Sequence, residues 1–293
     1  MARPWLLWIA AALGLASTAS LHARDAVIDL HYLQLDEADI GDARMDGFET
    51  GLRVRSPWWS LGNGRFGIGA DYLYTHYGYD GLPTRNRDLH RLAMPLDWST
   101  GERTVLTATA TPTVAASSNV FKDLFSRGGS DDFNLYAAIS AERAPDSGWG
   151  WRLGAGYDDR FGDPQAYPIV AALYRQPRVE LDIGWPQLRA TWKAHDQSRF
   201  GLHLAPAGAR WHVLSDERDG ADFDYTVEAW RAALTADWSF ATRWQLALQL
   251  GSEFDRHHDF EDDTGARIDA DVGDAAFAAL AIRYRFAEET MDP

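Results

Sequence analysis

The chain has 293 residues, a net charge of −15 and no cysteine, which excludes disulfide scaffolding, thiol catalysis and cysteine-ligated metal. Its acidity opposes nucleic-acid binding. Aromatic residues make up 13% of it, including 13 tryptophans, while mean hydropathy is −0.35, so a chain that is polar on average must confine its large rings to particular faces.

In chain order, the first element reads as a signal peptide over 1–23: Arg3 supplies positive charge, Trp5–Ala16 an apolar run, and Ala19 or Ala23 a cleavage point. The remainder, 24–293, reads as a single domain with no plug ahead of its first strand. Beyond the signal no apolar run reaches the length of a transmembrane helix, so any membrane span must be built of strands. From Ala26 onward the chain alternates at period two. Candidate strands fall near 26–35, 45–55, 65–77, 88–98, 103–112, 132–142, 149–158, 167–175, 178–185, 188–195, 199–207, 225–238, 243–254 and 275–286. In the last of them Ala278, Leu280, Ile282, Tyr284 and Phe286 oppose Ala279, Ala281, Arg283 and Arg285. Alternation alone fits a sandwich as well as a barrel. Segment lengths of about 9–11 residues are those of tilted membrane strands, longer than the usual soluble strand.

The joins alternate in length. Short ones fall at Ser99–Glu102, Ala144–Gly148, Gln176-Pro177, Asp196–Ser198 and Ser239–Thr242, and long ones at Thr113–Asp131, Val213–Asp222 and Asp255–Asp274, as in barrels with tight periplasmic turns and long external loops. Pro186-Gln187 is a very short join that must be external, and Pro95 marks a bulge or a strand boundary. Trp98, Trp149, Trp151, Trp238 and Trp244 flank the short turns, while Tyr72, Tyr74, Tyr77, Tyr157, Tyr167, Tyr225 and Phe254 lie towards the long loops, which predicts two aromatic belts. The expected fold is an all-β, antiparallel transmembrane barrel of about fourteen strands, within twelve to sixteen.

The terminal Tyr284-x-Phe286 resembles the C-terminal signal read by the bacterial barrel assembly machinery, although Ala287–Pro293 follow it. With the proline-punctuated middle from Tyr167 to Trp192, the build is similar to uncharacterised outer-membrane β-barrel families of Gram-negative bacteria, a porin-like architecture. The resemblance implies an outer-membrane location, with lipid bilayer, lipopolysaccharide and the assembly machinery as partners, and no known activity.

Parity places Arg53, Asp71, Arg152, Asp158, Glu180, Asp182, Arg189, Arg231, Asp237, Arg283 and Arg285 on the lumen face, with Glu49 among them. The third external loop, Thr113–Asp131, carries Val120–Phe125; its apolar and charged mixture suits one helical turn against the barrel wall. General porins fold their third loop inward, and by that resemblance Phe121, Lys122, Asp123 and Phe125 form a constriction. The acidic segments 36–44, 214–222 and 255–274 carry net charges of −3, −3 and −6; they are solvated external loops or bind divalent cations. His257-His258-Asp259 is a weak metal motif without a second spaced pair. His195-Asp196 with Ser198 sits in a tight turn where three catalytic roles do not converge. The expectation is a narrow passive or weakly selective pore for small polar solutes, with no catalytic residue, metal or cofactor. The alternative is a structural or surface-interaction barrel with acidic cation-binding loops, and a membrane-embedded hydrolase stands third.

Overall fold

The computed structural model describes residues 26–122, 133–215, 218 and 220–286; the signal-peptide segment and the expected constriction residues Asp123 and Phe125 lie outside them. The first part of the wall comprises β1 (Ala26–Ile40), β2 (Ala43–Arg55), β3 (Trp59–Leu61), β4 (Gly64–Asp80), β5 (Arg87–Ala93), β6 (Leu96–Thr100) and β7 (Val105–Ser117), followed by a short helix, α1 (Ser118–Lys122). Then come β8 (Phe133–Arg143), β9 (Gly148–Asp158), β10 (Gln165–Arg175), β11 (Val179–Trp185), β12 (Leu188–His195), β13 (Ser198–Pro206) and β14 (Ala209–Ser215). The chain closes with β15 (Ala221–Ala241), β16 (Trp244–Glu261), β17 (Arg267–Val272) and β18 (Ala275–Phe286).

Four pairs of segments are single staves interrupted by a break: β2 with β3, β5 with β6, β13 with β14, and β17 with β18, each pair lying along one shared neighbour. Among the described residues this makes fourteen antiparallel staves, closed where β1 pairs with β18 from Ala26↔Phe286 to Leu35↔Phe277. The break at Met94-Pro95 is the boundary that Pro95 marks: Met94 N–H turns to Pro112 O, and Gly69 N–H donates to Pro95 O. Pro186-Gln187 stands as a tight join between β11 and β12.

In the lower part of the barrel one face of each stave is forced apolar by lipid. Leu30, Leu52, Ile139, Leu153, Leu202, Leu234, Leu250 and Leu280 point outward and are exposed, as are Trp98, Trp149, Trp151, Trp238 and Trp244 near the short turns. An aromatic girdle at the turn end is what the membrane interface selects. Tyr72, Tyr74, Tyr157 and Phe254 keep their outward parity at the other end. Tyr77, Tyr167 and Tyr225, expected in that second belt, instead face inward and are buried.

The long joins differ from expectation. The segments 36–44 and 255–274 are strand continuations for most of their length, 213–215 and 221–222 also lie in strands, and β1 turns into β2 through Gly41-Asp42 alone. There β14 leaves the wall and meets β7 in parallel at His212↔Ala116, bypassing β8–β12. The result is a second, narrower ring of nine strands: β1, β2, β4, β5, β7, β14, β15, β16 and β17. Its polarity is the reverse of the membrane part. Leu35, Ile40, Met45, Tyr77, Leu89, Trp211, Val213, Phe223, Tyr225, Val227 and Phe260 fill its interior as one buried core, while Asp36, Glu37, Asp39, Asp46, Asp80, Asp269 and Asp271 stand exposed outside. The faces fit a ring standing in water, not lipid.

Two bulges allow this. Between Leu35 and Ala38 the register slips by one, so both side chains stay inward. In β16 the slip falls at Asp255, whose φ of 52° is the left-handed backbone a bulge admits, and it keeps Glu253, Arg256, His258 and Phe260 all inward and buried.

Candidate functional site

Below the packed ring, inward residues of the fourteen staves enclose a polar chamber. A cavity of about 350 Å³ at its centre is lined by His31, Glu49, Arg53, Arg189, His203, Arg231, Asp237 and Arg283, among others. A second, of about 530 Å³, lies at the short-turn end against Val27, Asp29, Arg53, Arg55, Asp97, Arg283 and Arg285. Of the lumen residues expected from parity, Arg53, Arg189, Arg231, Asp237, Arg283 and Arg285 border these cavities, while Asp71, Arg152, Asp158, Glu180 and Asp182 stand outside their linings. Asp71 accepts from Arg55 Nη2 at 2.7 Å. Arg152 bridges Glu142 at 2.6 Å and Asp182 at 3.6 Å, and Arg175 holds Asp182 at 2.6 Å. Asp158 is held by Arg160 at 2.6 Å and by the Tyr167 hydroxyl at 2.8 Å. Glu180 shares this inward face, paired in register with Arg175 and Thr191.

Sequence reading passed over several members. Asp29 binds Arg283 through Nε and Nη2 at 2.9 and 2.7 Å, and it shares its face with His31 opposite Leu30 and Tyr32, a signal present in the first strand. The chamber roof is a buried ionic cluster. Arg231 donates to Glu49 and to Glu253, each at 2.6 Å, and Arg256 Nε donates to Glu253 at 3.0 Å. Glu253 and Arg256 are only 1% exposed, and removing one partner from such a cluster costs about 3–5 kcal/mol because a buried charge is left unpaired. His258 sits above this roof, buried, with Nδ1 bonded to the Tyr225 hydroxyl at 2.8 Å, while the adjacent His257 faces outward to Asp269 and Asp271. The two histidines thus lie on opposite faces. Among the described residues no cluster of three or more His, Asp or Glu side chains is arranged to hold a metal ion.

Beside the narrow ring, the mouth left over β8–β12 is covered by the β9–β10 loop, 159–164. Asp159 is buried, ion-paired to Arg91 and accepting from Arg210 N–H at 3.1 Å. Arg160 O accepts from Gly208 N–H at 2.8 Å. Phe161 stacks on Trp185 with centroids 5.3 Å apart and lies 6.0 Å from Trp230.

The expected constriction at Phe121 and Lys122 is corrected. Phe121 stacks on His90 at 4.9 Å and lies 6.0 Å from Tyr72, and those rings point outward, opposite the inward and buried Leu89 and Thr75. Lys122 is exposed. The reason lies in the strands: β7 is drawn against β14, so α1 leaves it on the outer side.

No protein-family model and no curated protein matches the chain. Among solved structures it is similar to the COG4313 outer membrane channel from Pseudomonas putida F1, at 12% identity over 92% of this chain and 98% of that one, with a TM-score of 0.50. Weaker likenesses are the Pseudomonas putida toluene transporter TodX, at 11% identity over 89% of each chain (TM-score 0.42), and the KdgM porin in complex with disordered oligogalacturonate, at 7% identity over 88% and 99% (TM-score 0.41). The chain has the fold of a porin-like β-barrel. A closed, even-numbered, antiparallel single-chain barrel with an apolar outer band is the outer-membrane solution to spanning a bilayer with strands. The apolar outer band of this barrel fits a lipid bilayer.

Proposed function

We propose that this barrel is a narrow, weakly selective channel for small polar solutes. The lining of the chamber carries the reading: guanidinium and carboxylate groups mark both cavities, joined by the His31 and His203 imidazoles in the central one, an environment that favours hydrogen-bonding solutes over hydrocarbons. The solute route runs beside the narrow ring, beneath loop 159–164, because the ring itself is filled by its core. No catalytic step enters this reading. Single-channel recording of the refolded protein in a planar bilayer tests it, with small conductance steps as the expected result. Silence from folded, heat-modifiable protein, and from a variant whose loop 159–164 has been released, would refute it.

One observation favours the alternative of a surface-interaction barrel, namely the sealed ring with its acidic exterior. In that reading Asp36, Glu37, Asp39, Asp269 and Asp271 bind divalent cations that bridge lipopolysaccharide phosphates. Calcium binding to the purified barrel, lost on neutralising these residues, is its test. In either reading Tyr284 and Phe286 serve assembly: they close β18, with Phe286 paired in register to Ala26 and Tyr284 packed on Trp244 at 4.8 Å.

A further inference from the structure

The cavity at the short-turn end holds four arginines on two staves with β1 running between them. Asp29 stands in register with both Arg283 of β18 and Arg53 of β2, and one pleat step lower Val27 stands in register with both Arg285 and Arg55. The two flanking strands are two strand spacings apart, about 10 Å, so long arginine side chains from either side reach over β1. On the upper step the intervening residue is a carboxylate, and Arg283 binds it twice. On the lower step the intervening residue is valine. Among the described residues Arg285 has only the neutral Gln245 amide oxygen as a side-chain partner, at 3.1 Å, and Arg53 is half-exposed, touching Asp71 only through Nε at 3.4 Å while Arg55 takes that carboxylate at 2.7 Å. Arg283, Arg55 and Arg231 are thus taken by Asp29, Asp71 and the Glu49–Glu253 pair, whereas Arg53 shares a carboxylate already held by Arg55 and Arg285 meets an amide, and these two guanidinium groups border the same cavity.

We propose that Arg53, Arg55, Arg283 and Arg285 form a binding site over Val27 for the carboxylate or phosphate group of a small anionic solute, which takes on the lower step the place Asp29 occupies on the upper one. Planar guanidinium groups converging from two sides suit a bidentate oxyanion. The assignment of small anions as the transported class rests on the channel reading; the binding site itself does not.

The test is calorimetric titration of malonate and, separately, inorganic phosphate into the full refolded barrel in detergent at low salt. Binding by either probe is expected, and the probe that binds identifies the group recognised. Val27→Asp places a carboxylate on the lower step and should weaken that binding tenfold or more, and Arg285→Gln should weaken it about tenfold, as loss of a charge-assisted hydrogen bond does. Thr264→Val, on the exposed outer ring away from the cavity, should leave it unchanged. Heat-modifiable mobility checks that each variant is folded. Equal binding by wild type and Val27→Asp, or no wild-type binding of either probe, would overturn the site. Intact binding in a protein that carries no current in a bilayer keeps the site and refutes the channel.

Discussion

Release of the loop over the chamber mouth gives the sharpest test of the proposed route. The carboxylate of Asp159 is 4% exposed and carries two bonds, one from the Arg91 guanidinium and one from Arg210 N–H at 3.1 Å. Both bonds fall on Oδ2, so in Asp159→Asn the amide oxygen still accepts them and what is lost is the carboxylate charge opposite Arg91. Bonds between charged groups contribute about 1.5–3 kcal/mol against about 0.5–1.5 for neutral ones, a difference of about 1–1.5 kcal/mol, so the ratio of open to closed loop should rise about 5- to 13-fold. Arg91 is not stranded, because the Tyr136 ring lies beneath its guanidinium at 5.5 Å and the chamber offers water. The readout is open probability in single-channel records, with accessibility of a cysteine at Leu173, which faces inward and is fully buried, to an impermeant reagent on intact cells. Both should increase together. A folded Asp159→Asn barrel whose open probability and Leu173→Cys labelling match the parent would show that the route does not pass under this loop.

Other outcomes follow from the same geometry. Phe260→Ala, which removes a ring stacked 4.9 Å from Tyr225 in the narrow core, should cost about 3–5 kcal/mol and expose the outer ring to protease while heat-modifiability of the membrane part persists; equal protease resistance would contradict a packed core. Two groups on that ring titrate in opposite senses. Hydrogen bonds from His212 and Arg210 hold the Asp224 carboxyl down at about 2, so its contribution is present above the unfolded value near 4 and lost as pH falls through about 2. Hydrogen bonding to Asp271, aided by Asp269, raises His257, so its contribution is present below about 6.5 and lost as pH rises through the higher folded value. Protease resistance of the ring against pH should carry both limbs, and His257→Asn should remove the alkaline one alone. Finally, cysteines placed singly at the exposed Thr264 and Thr242 should label oppositely on intact cells, Thr264 from outside; the converse would invert the topology.

How much of this was legible depends on what the solvent enforces. Lipid demands an apolar outer face on every stave, so the period-two pattern yields the strands, their number and the inward parity of Arg152, Arg231 and Arg283. Their partners were harder to read. Asp29 meets Arg283 only because the barrel closes its first strand on its last, a pairing 254 positions apart, and Asp159 reaches Arg91 only because a loop folds across the mouth. The outer ring was misread for two reasons. Its outward face is acidic where the membrane part is apolar, so the same strand resembles a charged loop once it leaves lipid. At Asp36-Glu37 and at Asp255 a bulge adds a residue, which breaks the alternation just where the polarity changes.

The two parts of the molecule differ in filling because they differ in the number of staves. Eight strands enclose an interior that side chains fill, and more leave space for water. Fourteen staves around the chamber leave cavities, and nine around the outer ring leave room for a core of Tyr77, Trp211, Tyr225 and Phe260. The change is made by one contact, β14 against β7, which drops β8–β12 from the ring. A seal built from strands on both sides cannot open without breaking paired backbone. A seal over the dropped staves need only move the β9–β10 loop. The cheapest opening therefore lies on the side of β8–β12, where Asp159 and Phe161 hold the cover in place.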